Sequence, residues 1–188
     1  MQVVKLARLC ELRSHERVVW SRVYSLAESF LREHVVYKPI IVEEKSYTVI
    51  DGHHRLSALK LIGAKLAPVV EARYGVDVYR VGSWSLTIRA RDPWRVLEEL
   101  EATGSGAEAT VEFNGCRFRV RVDPVEVQFK ARSLGSNGRC RVLVKLPELG
   151  VSDVVRAGCS GDLFPPRTTL HETPLKKLVC PVKTRLLL

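Results

Sequence analysis

Residues 109–122, ATVEFNGCRFRVRV, leave little choice of local structure. Two runs that alternate apolar and polar side chains flank Asn114-Gly115, and Asn-Gly is the pair that most readily supplies the two left-handed residues of a tight hairpin. Arg117, Arg119 and Arg121 alternate with Phe118, Val120 and Val122, so one face of the sheet is expected to be basic and the other buried. The basic face is either a solvated surface or a contact for nucleic acid.

Helix signals lie on both sides of known turn chemistry. Ser25 with Glu28 matches a capping box for a helix running to about His34, with Leu26, Phe30 and Leu31 on its apolar face. Pro39 opens a strand, EEKS a turn, and residues 47–50 a second strand ending at Asp51-Gly52. Residues 53–62 read as a helix closed by Gly63, and a β-rich run starts at Pro68. Asp92-Pro93 supplies a cap and a first-turn proline for a helix through Leu100, after which Gly104-Ser105-Gly106 breaks the chain. Residues 125–132 and 139–146 are expected strands on either side of GSNG, and SDVVRAG a short helix stopped by Gly158. PPRTTLH is too proline-marked for a core helix and reads as a fixed loop or a loose tail.

With 188 residues, the chain has room for one compact domain or a main domain with an appendage. At 46% hydrophobic and 27% charged it can bury a core. Its net charge of +9 favours polyanions, nucleotides or anionic surfaces without choosing among them. No run of 18 apolar residues and no signal-peptide core occurs, so a soluble cytoplasmic protein is expected. Cys10, Cys116, Cys140, Cys159 and Cys180 are scattered without a CxxC pair and are expected to be reduced, mostly structural thiols.

Chemistry concentrates in residues 47–55, YTVIDGHHR, a strand that passes through Asp51 and Gly52 into a helix. Gly52 permits close backbone approach, the first helical amides lack intrahelical partners, and Arg55 adds a forked cationic donor. The turn is either an anion cradle, with His53 and His54 helping and Asp51 binding magnesium or orienting a hydroxyl, or a plain cap. Glu16 is either a general base or a surface acid. Arg167, Thr168, Thr169 and His171 offer a ligand loop or an exposed tail, and Trp84 a ligand wall or simple packing.

VIDGHHRLSALKLIGAK resembles the central motif of the free L-serine kinases of the ParB-like and sulfiredoxin-like superfamily. RSHERVV resembles the upstream segment that carries that family's catalytic glutamate, and GDLFPPRTTLH its C-terminal ligand loop. The resemblance implies an α+β fold: a ParB/sulfiredoxin-like mixed core with a smaller β-rich second subdomain. It divides the chain into a nucleotide-binding core at 1–90, an α/β insertion at 91–150, and a helix with the substrate loop at 151–188. It also implies phosphoryl transfer from ADP, or from ATP, to free L-serine with Mg2+, feeding cysteine biosynthesis. Glu16 would activate the hydroxyl, and Asp51 would hold the metal or position that hydroxyl. Gly52, His53, His54 and Arg55 would engage the nucleotide. Trp84, Arg167, Thr168, Thr169 and His171 would bind serine. A monomer with no obligate nucleic-acid partner and no membrane attachment is implied; a ParB-like, nucleotide-dependent DNA-binding protein is the alternative. A sulfiredoxin-like repair enzyme would need a cysteine in the phosphate-turn region, and none stands there.

Overall fold

The structure, a computed structural model, describes residues 3–104, 107–134, 138–146, 148–166 and 168–188. The chain divides into two compact units, the first comprising Met1–Val81, Gly150–Phe164 and His171–Leu188, the second Gly82–Leu149 and Pro165–Leu170. Helix and strand are mixed throughout, as the α+β expectation requires.

The first unit begins with β1 (Lys5–Arg8), α1 (Trp20–Glu33), β2 (Val35–Val36), β3 (Ile40–Glu43), β4 (Val49–Asp51), α2 (His53–Leu61) and β5 (Leu66–Ala72). Its main sheet has the order β1-β5-β3-β4; β3 runs parallel to β5, and the other pairs are antiparallel. A parallel pair needs a crossover, supplied here by β4 and α2. Because β3 is central and covered on both faces, Ile40, Ile41 and Val42 are all buried. On one side they meet Val23, Ala27 and Phe30 of α1 and Leu56, Ala58 and Leu59 of α2; on the other, Ile41 packs with Ile50, Ala72 and Val78. Each such aliphatic side chain contributes about 1.5–3 kcal/mol through burial.

α1 starts at Trp20, five residues before the expected cap, and Ser25 lies inside it, with its Oγ bonded to the Ser21 carbonyl. α2 matches its expected span, and Gly63 follows in the left-handed region at φ 77°.

The second unit carries β7 (Ser85–Ala90), α3 (Pro93–Glu101), β8 (Ala107–Phe113), β9 (Cys116–Val122), α4 (Pro124–Leu134) and β10 (Cys140–Lys145), while β6 (Arg80–Ser83) bridges the boundary in sequence. Its sheet order is β7-β10-β8-β9, antiparallel throughout. Asn114 and Gly115 take φ 50° and 76°, the tight turn that their identities demand. Arg117, Arg119 and Arg121 are exposed and Val120 and Val122 buried, as the alternation requires. Asp92 caps α3 by accepting from the Trp94 and Arg95 amides. The expected strand at 125–132 is instead the helix α4. Asp123 and Pro124 open it just as Asp92 and Pro93 open α3, with the Glu126 amide on the Asp123 carboxylate.

The chain then forms α5 (Val151–Ser160), β11 (Thr169–Glu172) and β12 (Val182–Lys183). Gly158 lies within α5 rather than ending it; Gly161, at φ 80°, is the terminator. Residues 169–172 of the expected loop are strand, β11, which pairs with β6. All five cysteines are free thiols, and Cys10, Cys116 and Cys159 are exposed rather than structural. Among the described residues, no helix is long and apolar enough to cross a membrane.

Candidate functional site

β4 delivers Asp51 to the sheet end, Gly52 turns the backbone at φ 110°, and α2 begins at once. No side chain caps the helix, and the first intrahelical bond runs from the Leu56 amide to the Gly52 carbonyl at 2.8 Å. The helix start can thus present its amide end to an anion with no side-chain cap in competition. Arg55 curls back over the glycine. Its guanidinium donates to the Asp51 carboxylate and to the Pro39 carbonyl, and to the Lys38 carbonyl at 3.1 Å. Burial lowers the Arg55 pKa from its usual value, and the Asp51 charge opposes that shift.

A cavity of about 370 Å3 opens at this turn. Asp51, Gly52, His54, Arg55 and Lys38 supply its polar lining, and Leu26, Phe30, Val36 and Tyr37 its apolar lining. That size and mixture suit a small ligand carrying one flat apolar part and one charged part. His54 also borders an adjoining cavity of about 500 Å3 beside Ser21, Arg22 and Ser25. A larger cavity of about 600 Å3 runs among Arg8, Leu9, Cys10, Ala64, Lys65, Leu66 and Leu188, and it brings no histidine or carboxylate to its lining. The chemistry favours the smaller one.

His53 and His54 point different ways. His54 Nε2 accepts the Val19 amide at 3.1 Å, so a neutral ring carries its proton on Nδ1. His53 is only 7% exposed, and its Nε2 lies 3.2 Å from His15 Nδ1. Against the expectation that His53 engages phosphate, its Nε2 faces His15 and the residue does not line the cavity at the turn. Its backbone amide is what remains for an anion.

Glu16, 9% exposed, sits in the segment that these contacts hold. The Val49 amide donates to Arg13, the Phe164 amide to His15 and the Arg17 amide to Phe164, each at 2.9 Å. Glu16 is thus bracketed by Phe164 on its backbone and by the helix entrance on its neighbours. His171 of β11 joins the same interior: its ring centroid is 5.5 Å from that of His15, and its Nε2 is 3.2 Å from the Tyr74 hydroxyl. Burial dominates all three imidazoles, pushing His15 down to about 4, His171 to about 3 and His53 well below its usual value. The cluster is neutral near pH 7.

In the second unit, Thr168 is buried and its hydroxyl donates to the Pro165 carbonyl at 2.8 Å. Trp84, 40% exposed, donates its indole N–H to the Thr169 carbonyl at 3.1 Å. Arg167 lies outside the described residues. Among the described residues no cluster of three or more His, Cys, Asp or Glu is built to hold a metal. A lone Asp51 still fits Mg2+, which commonly takes one carboxylate and completes its shell with phosphate oxygens and water. Sequence reasoning gave no role to His15 or Tyr74. Their importance is set by which way the rings turn, for which residue spacing carries no signal.

No family model matches the chain. An ADP-dependent L-serine kinase of Thermococcus kodakarensis is 31% identical over 100 residues, 51% of this chain and 41% of that protein. An ATP-dependent L-serine kinase of Staphylothermus marinus is 34% identical over 98 residues, 50% of this chain and 38% of that protein. A ParB-like protein of Sulfolobus acidocaldarius is 35% identical over 78 residues, 42% of this chain and 39% of that protein. The chain spans about two fifths of the length of these curated relatives. Among solved structures, a free serine kinase in complex with AMP superposes with TM-score 0.71 at 19% identity, covering 98% of this chain and 93% of that one. A C-terminally truncated SbnI from Staphylococcus aureus gives TM-score 0.64 at 19% identity, covering 91% and 83%. The fold of this chain is that of the solved free serine kinases, and SbnI shares it.

Proposed function

We propose that this chain is a free serine kinase that moves the terminal phosphoryl group of ADP, or of ATP, to the hydroxyl of free L-serine. With ADP, the hydroxyl oxygen bonds to the β-phosphorus, the bridging P–O bond breaks, and AMP, O-phospho-L-serine and a proton result. With ATP, the γ-phosphoryl group moves and ADP leaves. The observation that carries this reading is the double attachment of the Glu16 segment to the helix entrance, by His15 on His53 at 3.2 Å and by Val19 on His54 at 3.1 Å. A base and an anion cradle held together are what transfer to a hydroxyl requires. The serine-kinase names of the curated relatives support the same conclusion.

In this mechanism Glu16 accepts the hydroxyl proton. The backbone at the helix start, the His54 side chain and the guanidinium of Arg55 hold phosphate oxygens. Leu26, Phe30 and Tyr37 offer the apolar lining that a nucleobase needs. Asp51 is held in line by Arg55 and would carry Mg2+, which supplies charge neutralisation on the phosphates. His171, Trp84, Arg167, Thr168 and Thr169 are assigned to serine by the family resemblance. The enzyme would act as a cytoplasmic monomer, its product serving cysteine biosynthesis.

The test mixes purified protein, Mg2+ and L-serine with ADP or ATP and measures O-phosphoserine together with AMP or ADP. Glu16→Gln should lose roughly 10²–10⁴-fold in rate while keeping nucleotide affinity. Absence of product with either donor overturns the reading.

A further inference from the structure

Residues 13–19 form no helix and no regular strand; their ladder pairing is confined to isolated bridges, Arg13 to Thr48 and Glu16 to Phe164. A carboxylate carried on such a segment has no regular element to aim it. A base that must meet a hydroxyl in line with a phosphorus atom needs aim within a fraction of an ångström. Backbone bonds to Val49 and Phe164 hold the segment in place, and the side chain next to Glu16 that reaches the helix entrance is His15.

We propose that His15 is a positioning residue: its imidazole, bonded to His53 on the first turn of α2, fixes the direction from which Glu16 presents its carboxylate. This rests on the kinase reading above and adds a role for a residue outside the binding set. His15 is fully buried and His53 nearly so, and their ring centroids stand 4.5 Å apart, edge to face. Rotation of either ring would leave a buried ring nitrogen without a partner, an unfavourable state that holds both rings in place. A neutral imidazole has one N–H. The hydrogen bond of His15 to the Val49 backbone uses it, so Nδ1 accepts and His53 donates from Nε2. Tautomers and ring orientations are thus fixed together. Phe164, 6.4 Å from the His15 ring centroid, and His171 at 5.5 Å close the remaining sides. The consequence is a mechanical link from the anion-binding helix entrance to the base, with no ligand contact of its own.

The experiment compares wild type, His15→Phe, His15→Asn, His53→Phe and the His15→Phe/His53→Phe pair. It measures kcat and KM for serine phosphorylation, and nucleotide Kd by calorimetry. His15→Phe should lower kcat roughly 10–100-fold, the scale of a small misplacement, with nucleotide Kd within about twofold of wild type. His15→Asn, whose amide oxygen reproduces the Nδ1 acceptor, should recover most of the loss. The paired variant should be no worse than the poorer single one, because both remove the same bond. Wild-type kcat in folded His15→Phe, a loss lying wholly in nucleotide Kd, or absence of rescue by Asn would each overturn the assignment. If His15→Phe does not fold, His15→Asn against His53→Phe makes the same comparison. A wild-type protein that makes no O-phosphoserine instead removes the kinase reading on which this rests.

Discussion

Replacing Gly52 by alanine tests the helix entrance most directly. An L-residue forced into the left-handed region loses about 1–2 kcal/mol, and φ 110° lies beyond the usual left-handed basin. The added Cβ would also stand 3.2 Å from Cζ and Nη2 of Arg55 and 3.3 Å from its Nε. The guanidinium cannot retreat without loosening its bond to Asp51, and charged hydrogen bonds contribute about 1.5–3 kcal/mol. The expected total is roughly 2–4 kcal/mol, or a fall of roughly 5–15 °C in thermal midpoint for a chain of this size. Gly63→Ala is the control: it sits at φ 77° with no atom within 4 Å of a new Cβ, so only the backbone term applies, roughly 2–8 °C. Far-UV circular dichroism against temperature reads both, and calorimetry reads nucleotide affinity, which Gly52→Ala should weaken and Gly63→Ala leave alone. Equal losses in midpoint together with unchanged affinity would refute the claim that Arg55 closes over this glycine.

Two further predictions concern stability. His15, His53 and His171 have folded pKa values below their ordinary one, so the unfolded chain binds more protons as pH drops below about 6.5. Stability should be level above pH 6.5 and fall between 6.5 and 4.5, before most carboxylates titrate, by up to about 1.4 kcal/mol per pH unit for each histidine. Denaturant titrations across that window check this, and a flat response would contradict it. Gly158→Ala should gain about 1 kcal/mol of helix propensity but place a Cβ 2.7 Å from Thr48 Cγ2 and 2.8 Å from its Oγ1, an overpacking cost of about 1–3 kcal/mol. Net destabilisation measured by chemical denaturation should vanish in a Thr48→Ala background.

Local chemistry was legible wherever the chain satisfied itself. Asn114-Gly115, the Asp92-Pro93 cap and the span of α2 needed no distant partner. The Asp123-Pro124 start of α4 carried the same signal as Asp92-Pro93 but was outweighed by the two-residue alternation of Val125, Val127 and Phe129. The early start of α1 was hidden because Val19 offers no side-chain cap; its amide is satisfied by His54, 35 residues away. Gly158 looked like a terminator, but in the fold it makes room for Thr48. In the site, the strand-to-helix turn at Asp51, Gly52 and Arg55 was legible from residue identity, whereas the inward turn of His53 depends on His15 and could not be read from adjacency.

The first unit is assembled from three separated stretches of chain, and its last strand, β12, pairs with β2 across almost 150 residues. Leu187 is fully buried, and its carbonyl accepts the amides of Lys65 and Leu66. β12 and Leu187 follow the β8–β9 hairpin in the chain, so the packing of the first unit must wait for them while that hairpin zips locally. Vectorial synthesis therefore nests one unit inside the other: the piece carrying the helix entrance is begun before the second unit and completed after it.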